Sequence, residues 1–178
     1  MHRFTLSLCL AAVFVAAPAL HSQNAAPQSA AASATCPPTT TLNELIKALD
    51  DAVSGPGDKD RSCLRQIMLP EARLTPIRKA SDGRLEPRML TVDDWIDAVA
   101  RRATTPLYER QVKVITETYG HFAHLWSTYE IRDTPDGKAT VTGINSVQAV
   151  NDGARWRVLS VLWEPDSTAG PIPEKYKP

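Results

Sequence analysis

From Leu107 onward, three turn signals organise the chain: Gly120-His121, Thr134-Pro135-Asp136-Gly137 and Asn151-Asp152-Gly153. They separate four stretches rich in β-branched and aromatic residues, and the spacing predicts strands over Tyr108–Tyr119, Phe122–Arg132, Lys138–Val150 and Ala154–Glu164. Connections this short join antiparallel neighbours, because a parallel return needs a crossover of a dozen residues or more. This half of the chain therefore reads as an antiparallel sheet.

Ahead of the strands the period changes to that of helices. Thr41-Leu42-Asn43-Glu44 has the form of a capping box, and Leu42, Leu45, Ile46, Leu49 and Val53 recur at helical spacing until Gly55-Pro56-Gly57. A first helix is expected over Leu42–Ser54. A second is expected to be capped by Asp58, to carry Cys63, Leu64, Ile67 and Met68 on one face, and to end at Pro70. Glu71–Lys79, the turn Ser81-Asp82-Gly83 and Leu85–Leu90 read as a small edge hairpin. Thr91-Val92-Asp93-Asp94 starts a third helix with Trp95, Ile96 and Val99 inward, and its acids sit where a helix N-terminus favours negative charge. Helices first and strands afterwards predict an α+β domain with about three helices packed on a curved, mainly antiparallel sheet, a cone-shaped α+β barrel.

The N-terminus reads differently. His2 and Arg3 precede a run from Phe4 to Ala17 that is apolar apart from Thr5 and Ser7 and stops at Pro18, too short to span a bilayer. Residues 1–23 are expected to be a secretory signal peptide cleaved near Ser22 or Gln23, with a secreted or periplasmic product and no membrane attachment afterwards. Residues 24–40, poor in large side chains, are expected to form a flexible leader; the domain then covers 41–166 and a loose Pro-rich tail 167–178. Removing the signal removes Cys9 and leaves Cys36 and Cys63 in an oxidising compartment. A bridge between them would stabilise the fold by about 3.5 kcal/mol; the alternative is a buried Cys63 and a free Cys36.

Composition narrows the function. Twenty basic residues balance twenty acidic ones, so no net field draws the chain to nucleic acid or an anionic membrane. GxGxxG, GxxxxGK[ST], HExxH and GxSxG are all missing, and three cysteines with four scattered histidines cannot build a Cys-rich zinc module. No cofactor is expected. A metal site from His121, His124 and Glu117 is disfavoured, because the turn placement points the two histidines apart.

The order of elements resembles the nuclear transport factor 2-like superfamily, the cone-shaped fold of SnoaL-like cyclases, ketosteroid isomerase and scytalone dehydratase. The resemblance rests on Cys63–Leu74, on Gly120-His121-Phe122-Ala123-His124 leading to Ser127-Thr128-Tyr129, and on Gly143-Ile144-Asn145-Ser146 followed by Arg155-Trp156-Arg157-Val158. It spans Thr41 to Glu164 and implies a pocket between helices and sheet and a homodimer through the sheet. The catalytic sets of these enzymes do not carry over. Ketosteroid isomerase works with an Asp base, a Tyr and a protonated Asp; here the first helix has no Tyr and the interiors of the four long strands no Asp. The helix-borne Tyr and Asp of scytalone dehydratase likewise have no clear match.

Two-residue turns at Gly120-His121 and Asp152-Gly153, with Asp133 opposite Lys138, define a register. Glu117 then lies across from His124, Trp126 across from Asn145, and Asn145 across from Ser160. In this register Tyr119, His124, Trp126, Asn145 and Ser160 share a face. A carboxylate fixes the tautomer of a neighbouring imidazole and raises its basicity, so His124 and Glu117 are the candidate catalytic pair; the plain alternative is a cross-strand polar pair satisfying itself. Tyr119, Trp126, Asn145 and Ser160 are the candidate ligand contacts. The leading expectation is an exported domain holding a small, mostly apolar molecule between helices and sheet. The rivals are a cofactor-free isomerase, dehydratase or cyclase using His124, and a protein-interaction module that presents the outer sheet face.

Overall fold

The computed structural model describes residues 35–178. The signal-peptide reading and most of the leader fall outside the described residues. Helix α1 spans Leu42–Val53 and opens with the expected capping box: the Glu44 amide donates to Thr41 Oγ1 at 3.2 Å, and the Thr41 amide donates to Glu44 Oε2 at 2.9 Å. It buries Leu45, Ala48, Leu49, Ala52 and Val53. The leader joins the domain earlier than Thr41. Cys36 is bridged to Cys63, and Thr39, only 4 % exposed, exchanges hydrogen bonds with the backbone of Trp156 at 2.7 and 2.8 Å.

Helix α2 is shorter than expected, Ser62–Ile67, and Asp58 does not cap it; the Asp60 carboxylate accepts from the Ser62 amide instead. At Met68 the chain turns directly into strand β1, Met68–Lys79. Pro70 therefore marks no helix end. It sits where the pairing of β1 with the last long strand is interrupted between Met68 and Arg73, a place that tolerates a residue without an amide proton. Between the two helices Arg61, 2 % exposed, donates to the carbonyls of Gly57, Lys59, Val53 and Pro56 and lies over the Trp95 ring at 5.9 Å, so one buried cation organises the turn.

Strand β2, Leu85–Pro87, closes the expected hairpin on β1. Helix α3, Val92–Ala100, carries the second capping box, between Thr91 and Asp94. The long strands follow as β3 (Tyr108–Tyr119), β4 (Phe122–Arg132), β5 (Ala139–Asn151) and β6 (Trp156–Pro165). They form one open sheet of order β2-β1-β6-β5-β4-β3, antiparallel except for β1 against β6. The α+β class stands, with two corrections: the sheet does not close into a barrel, and the presumed edge hairpin contributes a full parallel strand. Among the described residues no helix is long and apolar enough to cross a membrane.

Bulges shift the register where the sequence cannot announce them. Arg132 pairs with Ala139 but Ile131 pairs with Val141, so Thr140 is an extra residue; Gln148 pairs with Ser160 but Ala149 with Val158, so Leu159 is another. Glu117 does face His124. Trp126, however, is opposite Ser146, Asn145 lies between Ser127 and Trp163, and Ser160 is opposite Gln148. An offset of one residue sends Asn145 to the helix side and leaves Trp126 and Ser160 on the outer side.

The helix side holds the core. Leu125 and Tyr129 of β4, Val147 and Ala149 of β5, and Val158 and Val161 of β6 are buried there beneath Leu45, Leu49, Leu64 and Trp95. Gly143 lies where the Tyr129 side chain crosses β5. A Cβ at Gly143 would meet the Glu164 carbonyl oxygen at 2.5 Å and Tyr129 Cζ at 2.6 Å. Gly143→Ala is expected to cost about 2 kcal/mol by overpacking, read as a lower urea midpoint; an unchanged midpoint would show that the ring shifts freely.

The tail is not loose. After helix α4, Asp166–Ala169, it folds back over the outer face of the sheet. Thr128 Oγ1 donates to the Tyr176 carbonyl at 2.6 Å, Lys113 Nζ donates to the Lys177 carbonyl at 2.6 Å, and the Tyr176 ring packs on Trp126 with centroids 5.7 Å apart.

Candidate functional site

Polar side chains gather on the helix side, in the otherwise apolar space between α1 and the sheet. Ser54, just past α1, ties down the start of β3: its hydroxyl donates to the Glu109 carbonyl at 2.5 Å and accepts from the Glu109 amide at 2.9 Å. This fixes the backbone that carries the Glu109 side chain inward. There Asn145 Nδ2, from a residue 5 % exposed, donates to Glu109 Oε1 at 3.1 Å. Asp50, on the same helix as the core leucines, takes hydrogen bonds from the Gln111 backbone amide at 3.2 Å and from Gln111 Nε2 at 3.1 Å. Among the described residues, neither the hydroxyl of Ser127, fully buried and opposite Asn145 in the ladder, nor the Gln111 side-chain oxygen has a hydrogen-bond partner.

Electrostatics set Glu109 apart. Burial pushes its carboxyl up to about 7, the Asn145 hydrogen bond works against that, and the nearby Asp50 charge adds to it. Asp50 is raised as well, by burial first, with the two Gln111 hydrogen bonds opposing. Burial also raises the Tyr129 phenol, with Glu109, Asp166 and Glu164 adding to the effect, so it stays protonated at neutral pH.

Glu109 and Asn145 line a cavity of about 30 Å³ whose other walls include Leu49, Met68, Trp95 and Trp163. That is room for one or two waters. Glu109 also lines an open cleft of about 300 Å³ on its other side, together with Lys47, Asp50, Ser54 and Arg110. Glu109 thus borders both a small interior cavity and a cleft open to solvent. A carboxyl poised near neutral pH in such a place can take up and return a proton.

The residues singled out in the sequence divide between the two faces. Asn145 alone reaches the helix side. His124 and Glu117 lie on the outer face, with His124 Nδ1 3.8 Å from Glu117 Oε2 and His124 Nε2 3.0 Å from Ser146 Oγ; the Glu117 side chain is 80 % exposed. They border an open cleft of about 340 Å³ with Ile115, Trp126, Lys175 and Tyr176. Tyr119 is 78 % exposed at the hairpin end against Phe122, and Ser160 donates to Gln148 on the outer face. The expected ligand set therefore does not converge. Cys36 and Cys63 form the disulfide. Among the described residues no three His, Cys, Asp or Glu side chains gather as metal ligands.

Glu109, Asp50, Gln111 and Ser127 went unnoticed in the sequence, though one signal was present. Asp50 follows Ile46 by four residues, which puts an acid on the flank of the apolar stripe of α1, where burial is expected. Glu109 gave no such hint, because the extra residue in β3 between Gln111 and Lys113 breaks the alternation that would reveal its face.

No protein-family model matches the chain, and no curated protein matches it in sequence. Solved structures similar to it include NTF2-like proteins and proteins with a cystatin-like fold. One, of unknown function from Silicibacter pomeroyi, has a TM-score of 0.49 and 19 % identity, covering 70 % of this chain and 92 % of that one. Another NTF2-like protein of unknown function, from Shewanella baltica, has a TM-score of 0.48 and 12 % identity over 70 % of this chain and 90 % of the other. An uncharacterised protein with a cystatin-like fold from Caulobacter vibrioides has a TM-score of 0.47 and 15 % identity over 73 % and 93 %.

Proposed function

We propose that the chain binds a small carbonyl compound in the open helix-side cleft, with the carbonyl end at Glu109, and that Glu109 serves as its proton acceptor. The observation that carries this reading is a carboxyl held at about 7, with a single amide partner, between an apolar cavity and an open cleft. A base with that affinity is half ionised near neutral pH, where general base catalysis is most effective. The reaction class that fits is proton removal beside a carbonyl and return at another carbon: the C–H electron pair passes into an enolate, the proton resides on Glu109, and no cofactor takes part.

A second reading keeps His124 as the base, oriented by Glu117, and is favoured by the His124–Ser146 contact of 3.0 Å. One experiment separates the two: exchange of the α-hydrogens of β-tetralone in deuterated water, followed by mass. Glu109→Gln is expected to slow the protein-catalysed exchange roughly a hundredfold, with His124→Gln unchanged. The opposite pattern would move the chemistry to the outer face, and no exchange in the parent chain would leave binding without turnover.

The wider setting is also a proposal. Export is supported by the disulfide. A homodimer through the sheet is supported by exposed apolar side chains on its outer face, Ile115, Phe122 and Leu159 among them. Native mass spectrometry of the exported chain without reductant would count subunits and weigh any retained molecule.

A further inference from the structure

On the face of the sheet opposite Glu109, the C-terminal segment and the strands enclose a second space, of about 350 Å³, within the range of small-molecule sites. Its floor is Trp126, Ile144 and Leu162, and its wall is Ile172, Pro173 and Tyr176. That wall is held in place: the Tyr176 and Lys177 carbonyls accept from Thr128 and Lys113, and Asp166 at the head of α4 accepts from Thr142 Oγ1. Leu162 remains 41 % exposed, so the apolar floor is open.

The charge in this groove has one sign. Glu164 and Asp166 line it. Among the described residues neither makes an ion pair, while Arg132 is taken up by Glu130, Lys177 by Glu174, and Lys175 lies over the Tyr176 ring at 4.6 Å. An apolar trough with an aromatic wall and two unpaired carboxylates complements a molecule with an apolar body and a cationic head.

We propose that this groove binds a small organic cation, an aromatic or aliphatic amine, whose body lies on Trp126, Ile144 and Leu162 beneath Pro173 and Tyr176 and whose ammonium sits at Glu164 and Asp166. The site is separate from the Glu109 mouth and stands or falls independently of it. A neutral molecule of the same shape gains the apolar contact without the charge, and an anion meets repulsion.

The test uses three probes of one shape on the full chain: tryptamine (cation), tryptophol (neutral) and indole-3-propionate (anion), with binding read by equilibrium dialysis. Tryptamine is expected to bind at least about tenfold more tightly than tryptophol, with indole-3-propionate weakest and the gap narrowing as salt is raised. The double variant Glu164→Gln, Asp166→Asn should bring tryptamine down to the level of tryptophol. Equal binding of cation and anion, no saturable binding of tryptamine, or a folded double variant that keeps the preference would overturn the proposal. Should the double variant fail to fold, Ile172→Arg places a cation in the groove wall and is expected to abolish tryptamine binding; retained binding there also overturns it.

Discussion

Cys63→Ser is expected to lower the stability of the folded chain by about 3.5 kcal/mol, a fall of about 10 °C in Tm for a domain of this size. The bridge joins Cys36, ahead of α1, to Cys63 in α2 across a sequence separation of 27 residues. Without it, the unfolded chain recovers the conformations that closure forbids. The folded chain loses little packing, because Thr39 still pairs with Trp156 and Leu64 still fills the core. The effect therefore belongs mostly to the unfolded state, and Cys36→Ser should match it within a few tenths of a kcal/mol. Urea unfolding with and without reductant checks this: reductant should bring the parent chain to the midpoint of the variants and leave the variants unmoved. A difference below about 1 kcal/mol would mean that the unfolded chain keeps the two ends close on its own.

The second large effect is a stability that falls as the pH rises through the weakly acidic range. Glu109 has an ordinary carboxyl affinity of 4.5 when unfolded and about 7 when folded. Below about pH 4.5 the group is protonated in both states and its burial costs nothing. Above that, the unfolded chain releases the proton while the folded chain keeps it, so ionisation favours unfolding, and the loss is complete once the folded group also ionises above 7. The full swing is about 3 kcal/mol. Asp50, also raised, adds a loss of the same sign. Glu109→Gln keeps the shape and removes the titration, so the variant should match the parent near pH 4 and exceed it near pH 8. Urea midpoints at half-unit pH steps give the two curves; parallel curves would show that Glu109 is solvated in the folded state and would weaken the case for it as a base.

These effects differ in how far the sequence announced them. Counting left Cys36 and Cys63 as the candidate pair once the signal run is set aside, with a free Cys36 as the alternative, and the structure decides for the bridge. Both capping boxes and the boundaries of the long strands were legible because they depend on neighbouring residues, Thr41 with Glu44, Thr91 with Asp94, and glycines at the turns. Gly120 and Gly153 have φ of 55° and 95°, a region that favours glycine, and these positions were readable as hairpin ends. Pro70 was misread because proline excludes helix and regular ladder alike, and only the partner strand tells a helix stop from a strand irregularity.

The candidate site was less legible, for a physical reason. Strand side chains alternate with a period of two, so one unforeseen residue reverses every side chain beyond it. Thr140 and Leu159 are such residues, and between them they carried Asn145 to the helix side and left Trp126 and Ser160 outside. The tail was expected to be loose because its own composition buries little; contacts with Thr128, Lys113 and Trp126, supplied from elsewhere in the chain, hold it down.

The sequence by itself determined the α+β class, the order and extent of most elements, the Glu117–His124 pairing next to its hairpin, and which two cysteines could pair. Each depends on interactions within a dozen residues or on a count with one solution. Only the tertiary structure decided which carboxyl is buried, which face each strand residue takes beyond a bulge, and that β1 joins the sheet in parallel. Burial of Glu109 depends on Asp50 and Ser54 from α1 and its C-terminal end and on Asn145 from β5, elements far apart in sequence, and desolvation and register are properties of that assembly rather than of any local stretch of chain.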